Sequence, residues 1–277
     1  MLEFSVVLFA ICIVAGLLGS LLGLGGGVVV VPVLTLIFHI DIRLAIGASI
    51  ISVIATSSGA AAAYVREQMT NLRVGMFLEI GTTLGAVSGA YVAGVVSGRV
   101  LYVVFALVLG YSAVRMLMSR KQVEGSRSAP PDRWADRLRL HGAYYDQAEG
   151  REIRYRVGRT PSGLGLMYVA GLMSGLLGIG SGSLKVPAMD LAMGLPMKVS
   201  TATSNFMIGV TAAASAGVYF LRGDVDPHIA GPVAAGVLVG ATLGSRILPR
   251  LQSSAIRTLF VAVLLFVAVD MVVKGLA

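Results

Sequence analysis

Lys185 stands in the stretch GIGSGSLKVP, at the end of a run, Thr160 to Leu184, that holds no other charge. Placing an ammonium group at bilayer depth costs about 2.5 to 3.5 kcal/mol on insertion scales, so such a lysine is read as functional unless another use is found for it. Three uses are open: contact with an anionic substrate, a salt bridge to Asp190, or snorkelling to an interface. Lys185 and Asp190 are five residues apart and do not share a helix face, which weakens the second. Ser181 and Ser183 add hydroxyls to the same stretch, and KVSTATSNFMIG follows it with Thr201, Thr203, Ser204 and Asn205. Small polar residues in membrane helices also serve helix packing, although the amide of Asn205 is harder to hide than a hydroxyl. Glu79, in GMFLEIGTTLG about one turn inside its helix, is a candidate for proton coupling or a cap for the region of Arg73. His39, His141 and His228 fall in predicted loops without metal-ligand spacing, so neither a metal nor a cofactor is expected.

These residues are positioned by long apolar segments. Of the 277 residues 56% are hydrophobic and 13% charged, against about 25% charged in an ordinary soluble domain. Phe4 to Ile40, Leu44 to Val65, Thr160 to Leu184 and Val199 to Leu221 contain no Asp, Glu, Lys or Arg. Each meets the requirement of roughly 20 apolar residues for a spanning helix. The pattern predicts an all-α polytopic membrane protein. The net charge of +8 does not call for a nucleic acid, because eleven of the 22 basic residues lie between Arg115 and Arg159, as expected of a cytoplasmic loop. Cys12 reads as a small core residue, and the N-terminus MLEFSVV as the start of a retained helix.

Shifting the chain against itself by 155 residues aligns AGLLGSLLGLGGGVVVVP (15–32) with AGLMSGLLGIGSGSLKVP (170–187), ten identities in eighteen positions. The same shift pairs Arg43 with Lys198, Ser49 with Ser204 and Tyr64 with Tyr219. It also pairs Gly81, Gly85 and Gly89 with Gly236, Gly240 and Gly244. We therefore read two homologous membrane halves, 1–118 and 162–277, joined by a basic linker, 119–161. Each half is expected to hold a broken segment (4–22 then 28–38; 162–177 then 184–193) and three further helices. The latter are predicted near 43–66, 74–97 and 100–118, and near 198–221, 229–249 and 254–273. Val28 to Phe38 is too short to cross alone, which suggests a re-entrant hairpin. With the linker inside, an inverted arrangement places Arg66, Arg73, Lys198, Arg246, Arg250 and Arg257 inside and Arg43, Arg99, Arg222 and Lys274 outside. A parallel one reverses that score, so inverted repeats are favoured. In the linker, Pro130 and Pro131 preclude a helix interior, and the alternation of Ile153, Tyr155 and Val157 after an Ala-Glu-Gly-Arg turn predicts a small hairpin.

Glycine in mid-membrane is tolerated where freed backbone groups find partners or line a cavity. Breaks at Gly25, Gly26 and Gly27 and at Gly180, Ser181 and Gly182 therefore suggest a cavity, with helix starts near Val28 and Ser183 presenting amides to an anion. The candidate substrate-binding set is Gly25, Gly26, Gly27, Ser49, Gly180, Ser181, Gly182, Ser183, Lys185, Thr203, Ser204 and Asn205.

The pairing of GLLGLGGGVVVVPVL with GLLGIGSGSLKVPAM, each followed by RLAIGAS or KVSTATS, resembles the TauE/SafE family of sulfite exporters and anion permeases. The likeness covers both halves. It implies a carrier of small anions in a prokaryotic inner membrane, with sulfite, sulfonates and related oxyanions among the cargoes and alternating access as the mode of transport. The partners so expected are a small anion and the lipid bilayer, with a homodimer as a candidate assembly. An anion-selective channel built on re-entrant half-helices is the alternative.

Overall fold

The structure is a computed structural model that describes residues 2–66, 68–118 and 132–276. It opens with helix α1 (Leu2–Leu22), which stops at the glycine cluster, and a short helix α2 (Gly27–Pro32) that continues as a π-helical turn (Val33–Ile37). Three long helices follow, α3 (Ile42–Arg66), α4 (Leu72–Val95) and α5 (Gly98–Met118). The linker contributes α6 (Arg133–Arg137) and two antiparallel strands, β1 (Gly142–Asp146) and β2 (Arg151–Tyr155). The sequence of elements then recurs as α7 (Thr160–Leu177), α8 (Gly182–Pro187) with its π-helical turn (Ala188–Ala192), α9 (Met197–Leu221), α10 (Pro227–Ile247) and α11 (Ser253–Leu276). Helix α8, its π-helical turn and α9 are α2, its turn and α3 moved by 155 residues, and α10 and α11 start 155 residues after α4 and α5. Among the described residues, six stretches are long and apolar enough to cross a membrane: Ser5–Leu22, Ile42–Ala61, Leu72–Val95, Thr160–Leu177, Met197–Leu221 and Pro227–Arg250.

The π-helical turns refine the predicted half-helices. Pro32 and Pro187 end α2 and α8 and lack an N–H, so the ladder reopens one residue wider beyond them. Phe38 N bonds Val33 O at 3.4 Å, and Met193 N bonds Ala188 O at 3.2 Å. Helix α6 is a second refinement, because the linker was expected to be irregular there. Asp132 caps it, accepting from Trp134 N at 2.9 Å, and also accepts from Thr160 N at 2.5 Å, thereby tying α6 to the start of α7. The rest of the stretch expected to be irregular, SRSAPPDRW, with Pro130 and Pro131, lies outside the described residues.

Glycine sets the closest helix packing. A Cβ on Gly85 would stand 2.1 Å from Tyr168 O of α7, and one on Gly240 would stand 1.9 Å from Ile13 O of α1. Only a hydrogen fits in either place, so α4 lies on α7 and α10 on α1 with their backbones nearly touching. Helices α4 and α9 run side by side in the same direction. Asn71 N donates to Thr203 Oγ1, Thr211 Oγ1 to Glu79 Oε1 and Arg222 Nη1 to Ala90 O, the partners advancing together along both helices. The start of α3 meets the far end of this pair: Arg43 Nη2 reaches Val96 O at 3.4 Å, and Gly47 abuts Asp224 O. Helix α3 therefore begins where α9 ends.

The linker hairpin docks at the opposite end of the bundle. Lys198 Nζ donates to Asp146 Oδ1 at 2.6 Å and to Pro249 O at 3.3 Å, and its residue is 1% exposed against 2% for Asp146. Asn71 Nδ2 donates to Leu140 O and to Tyr155 Oη, and Gly158 N to Met193 O. The segment from Asp132 to Arg159 thus touches the α3–α4 connection, the loop before α9 and the start of α9 at once.

Candidate functional site

Both glycine clusters break the helix by the same backbone device. Gly23, Gly25 and Gly26 have φ of 69°, 81° and 71°, and Gly178, Gly180 and Ser181, their counterparts 155 residues on, have 66°, 74° and 57°. Left-handed backbone suits glycine, so Ser181 is the costly member of the set. Its hydroxyl is not left free, because Oγ donates to Gly180 O at 2.7 Å.

The two breaks are in contact. A Cβ on Gly182 would strike Gly23 O, and one on Gly27 would lie 2.9 Å from Gly178 O. Two serines knit them together: Ser49 Oγ donates to Gly178 O and Ser204 Oγ to Gly23 O, each at 2.7 Å. Each serine thus satisfies a buried carbonyl released by the other break. Asn205 works at the same seam, with Nδ2 donating to Ser20 O at 2.7 Å, while its Oδ1 has no hydrogen-bond partner. Of the residues singled out from sequence, Gly25, Gly26, Gly27, Ser49, Gly180, Ser181, Gly182, Ser204 and Asn205 gather at this seam. Thr203 faces elsewhere, accepting from Asn71 N and bordering Gly75.

Beside the seam lies a buried polar cluster that joins α4, α8 and α9. Lys185 is 0% exposed. Its Nζ donates to Thr211 Oγ1 at 2.6 Å and stands 3.6 Å from Glu79 Oε2. Thr211 Oγ1 in turn donates to Glu79 Oε1 at 2.6 Å, and Thr83 Oγ1 donates to the same oxygen at 3.1 Å. Glu79 Oε2 and Ser183 Oγ have no hydrogen-bond partner. The ion-pair partner of Lys185 is therefore Glu79, 106 positions away, rather than the Asp190 weighed from sequence. Glu79 lies in the second turn of α4 and faces Lys185, while Arg73 reaches Arg139 O.

Thr211, Thr82 and Thr83 were not singled out from sequence. For Thr211 the signal is the four-residue spacing of Thr203, Met207, Thr211 and Ser215, which describes a stripe without saying what lies against it. The cluster also has no second copy. The positions 155 residues away from Glu79, Lys185 and Ser183 are Ala234, Val30 and Val28, and Thr56, the counterpart of Thr211, donates to Gly25 O and Ser52 O. Charge has been placed in one of two equivalent sites.

Residues 8–271 match the family model described as sulfite exporter TauE/SafE. The chain is similar to the probable membrane transporter protein YunE of Bacillus subtilis, with 29% identity over 278 residues and 98% of each chain covered. It is also similar to the probable membrane transporter protein YdhB of the same organism, 25% identical with 87% of each chain covered. A third relative, the probable membrane transporter protein MJ0441 of Methanocaldococcus jannaschii, is 24% identical over 91% of this chain and 89% of its own. No solved structure matches. A chain with two glycine-broken helices in contact, matched over nearly its whole length by this family's model, belongs to the TauE/SafE sulfite exporter family.

Proposed function

We propose that the protein is a secondary transporter of a small anion, in the class of sulfite, sulfonates and related oxyanions, bound next to Lys185 and moved by alternating access. The observation that carries this reading is the lysine itself, fully buried at a helix break with a single close hydrogen bond. An ammonium has three N–H donors. Thr211 takes one and Glu79 Oε2, at 3.6 Å, is too far for a strong second, which leaves donors for a guest. The unpartnered hydroxyl of Ser183 on the same short helix adds a donor suited to an oxyanion. Ser49, Ser204 and Asn205 hold the breaks together and shape the neighbourhood of the guest.

The movement is proposed to come from two inverted halves, 1–118 and 162–277, rocking about the seam. Arg43 and Lys198 hold equivalent positions, yet one lies beside Val96 and the other beside Asp146 and Pro249, at opposite ends of the bundle. Helices α3 and α9, equivalent in sequence, run in opposite directions for the same reason. With the hairpin inside the cell, Arg73 and Lys198 fall inside and Arg43 and Arg222 outside, as the inverted arrangement expects, and Arg151, Arg154 and Arg156 in and after the hairpin supply the basic surplus inside that the positive-inside rule favours.

The test is flux in proteoliposomes with radiolabelled sulfite and radiolabelled 2-hydroxyethanesulfonate. Saturable flux of either at no more than about a thousand per second is expected of a carrier, and it should disappear in the Lys185→Met, Glu79→Gln double variant, which removes both buried charges together. Flux of neither anion would overturn the reading, and far faster flux that does not saturate would replace the carrier with a channel.

A further inference from the structure

Lys185 cannot serve an anion and the Glu79 carboxylate equally. Glu79 Oε2 stands 3.6 Å from Nζ, so an anion seated on the ammonium meets a second negative charge at close range in a medium of low dielectric. Among the described residues, the other charged and titratable groups on α4, α7 and α9 are engaged elsewhere or exposed. Helix α7, packed along α4, contains no Asp, Glu, Lys or Arg, and its one titratable group, Tyr168, is 41% exposed. On α9, Lys198 is paired with Asp146, and Tyr219 donates to the backbone of Gly175 and Leu176. On α4 itself, Arg73 is bonded to Arg139 O and Tyr91 is 67% exposed. Asp190 is buried in the π-helical turn beyond α8, but the described ion pair of Lys185 is with Glu79.

The two carboxylate oxygens of Glu79 also differ in what they can accept. Oε1 of Glu79 already takes hydrogen bonds from Thr211 and Thr83, whereas Oε2 takes none although it is buried. A proton arriving at Glu79 therefore has one open atom, Oε2, and its arrival converts a competing negative charge into an O–H donor directed at the same neighbourhood. We propose that Glu79 and the anion share Lys185, so that the carrier takes up one proton at Glu79 Oε2 for each anion it binds. This rests on the anion reading above and adds its coupling ion. A monovalent anion then crosses with its proton as a neutral pair, and the pH gradient rather than the membrane potential drives it.

Binding of sulfite and of 2-hydroxyethanesulfonate to the purified protein, measured by calorimetry from about pH 5 to about pH 8 for the wild type and Glu79→Gln, tests this. Sulfite titrates on its own in this range, but equally for both proteins, so the difference between their slopes isolates Glu79. Wild-type affinity should fall by up to about tenfold per pH unit relative to the variant, and the variant should bind at every pH as tightly as the acid-limit wild type. Equal slopes for the two proteins would overturn the coupling and leave the anion site standing. A pH dependence that persists in Glu79→Gln but vanishes in Asp190→Asn would overturn it as well, and binding of neither anion at any pH would remove both. Should Glu79→Gln not fold, the wild type decides alone. Binding heats in two buffers of different ionisation enthalpy count the protons taken up, and a count of zero beyond that of the ligand overturns the proposal.

Discussion

Replacing Asp146 with Asn strands a cation. Lys198 is 1% exposed, and after the change it faces only neutral acceptors, the amide oxygen at 146 and Pro249 O at 3.3 Å, with no charge to balance its own. The amide can still accept from Ala148 N and Glu149 N, so the turn itself survives and the loss falls on the docking of the hairpin. Removing one partner of a buried pair costs about 3 to 5 kcal/mol. The lower end applies here, because the hairpin can swing out and let water reach Lys198, so about 3 kcal/mol of docking energy should vanish. That corresponds to a roughly hundredfold rise in local opening, readable as faster amide exchange in 142–146 and 151–155 of the protein in micelles. Adding Lys198→Met should restore most of the protection, since the variant pair buries no charge. Acid should act in the same way on the wild type. Burial alone would raise the Asp146 carboxyl, but the Lys198 ammonium and the amide of Ala148 hold it below the ordinary carboxylate range. A carboxyl depressed in the folded state contributes docking energy that is present above its unfolded value and lost as pH falls through the folded one. Asp132 is depressed against its own desolvation by the amide of Thr160 and adds to the acid lability with the same sign. Exchange unchanged in Asp146→Asn, or wild-type protection indifferent to acid, would refute the ion pair as the clasp of the hairpin.

Three further outcomes are expected. Gly85→Val forces a side chain onto Tyr168 O and Leu172 N, and should cost about 3 kcal/mol, the upper end for overpacking, whereas Gly217→Ala, with nothing within 4 Å, should be tolerated; thermal unfolding in detergent compares them. Ser181→Gly relieves a left-handed serine at φ 57°, and should raise the melting temperature by the equivalent of about 1 kcal/mol. Ser49→Ala and Ser204→Ala each orphan one buried carbonyl, Gly178 O or Gly23 O, so the two should destabilise by similar amounts, about 1 to 3 kcal/mol each.

Much of the scaffold could be read from the chain because its causes are local. Glycine clusters break helices wherever they occur, Pro32 and Pro187 end the short helices α2 and α8, and the alternation around Ile153 pairs as a hairpin, with Tyr144 opposite Ile153. The seam was legible in part: Ser49 and Ser204 stood out as a repeated pair, but their bonds to each other's break depend on a crossing of the halves that no local pattern encodes. The charged cluster was legible only as separate residues. Glu79 and Lys185 each looked anomalous in apolar surroundings, yet their meeting requires α4 to lie against α8 and α9, which the close glycine packing of α4 on α7 brings about. Thr211 was invisible for the same reason, since a threonine in a membrane helix bonds its own backbone as readily as a neighbour. The hairpin's clasp needs Lys198 and Asp146 brought together from 52 residues apart.

Selenite is a heavier analogue of sulfite with its own anomalous signal, so a structure of the protein soaked in selenite locates an anion without reference to its neighbours. Anomalous density within hydrogen-bond reach of Lys185 Nζ, beside the contact between Gly23 and Gly182, is the expected result. Density only at the basic surface, or an empty cluster in a protein that still binds selenite in solution, would contradict the assignment of Lys185 as the seat of the transported anion.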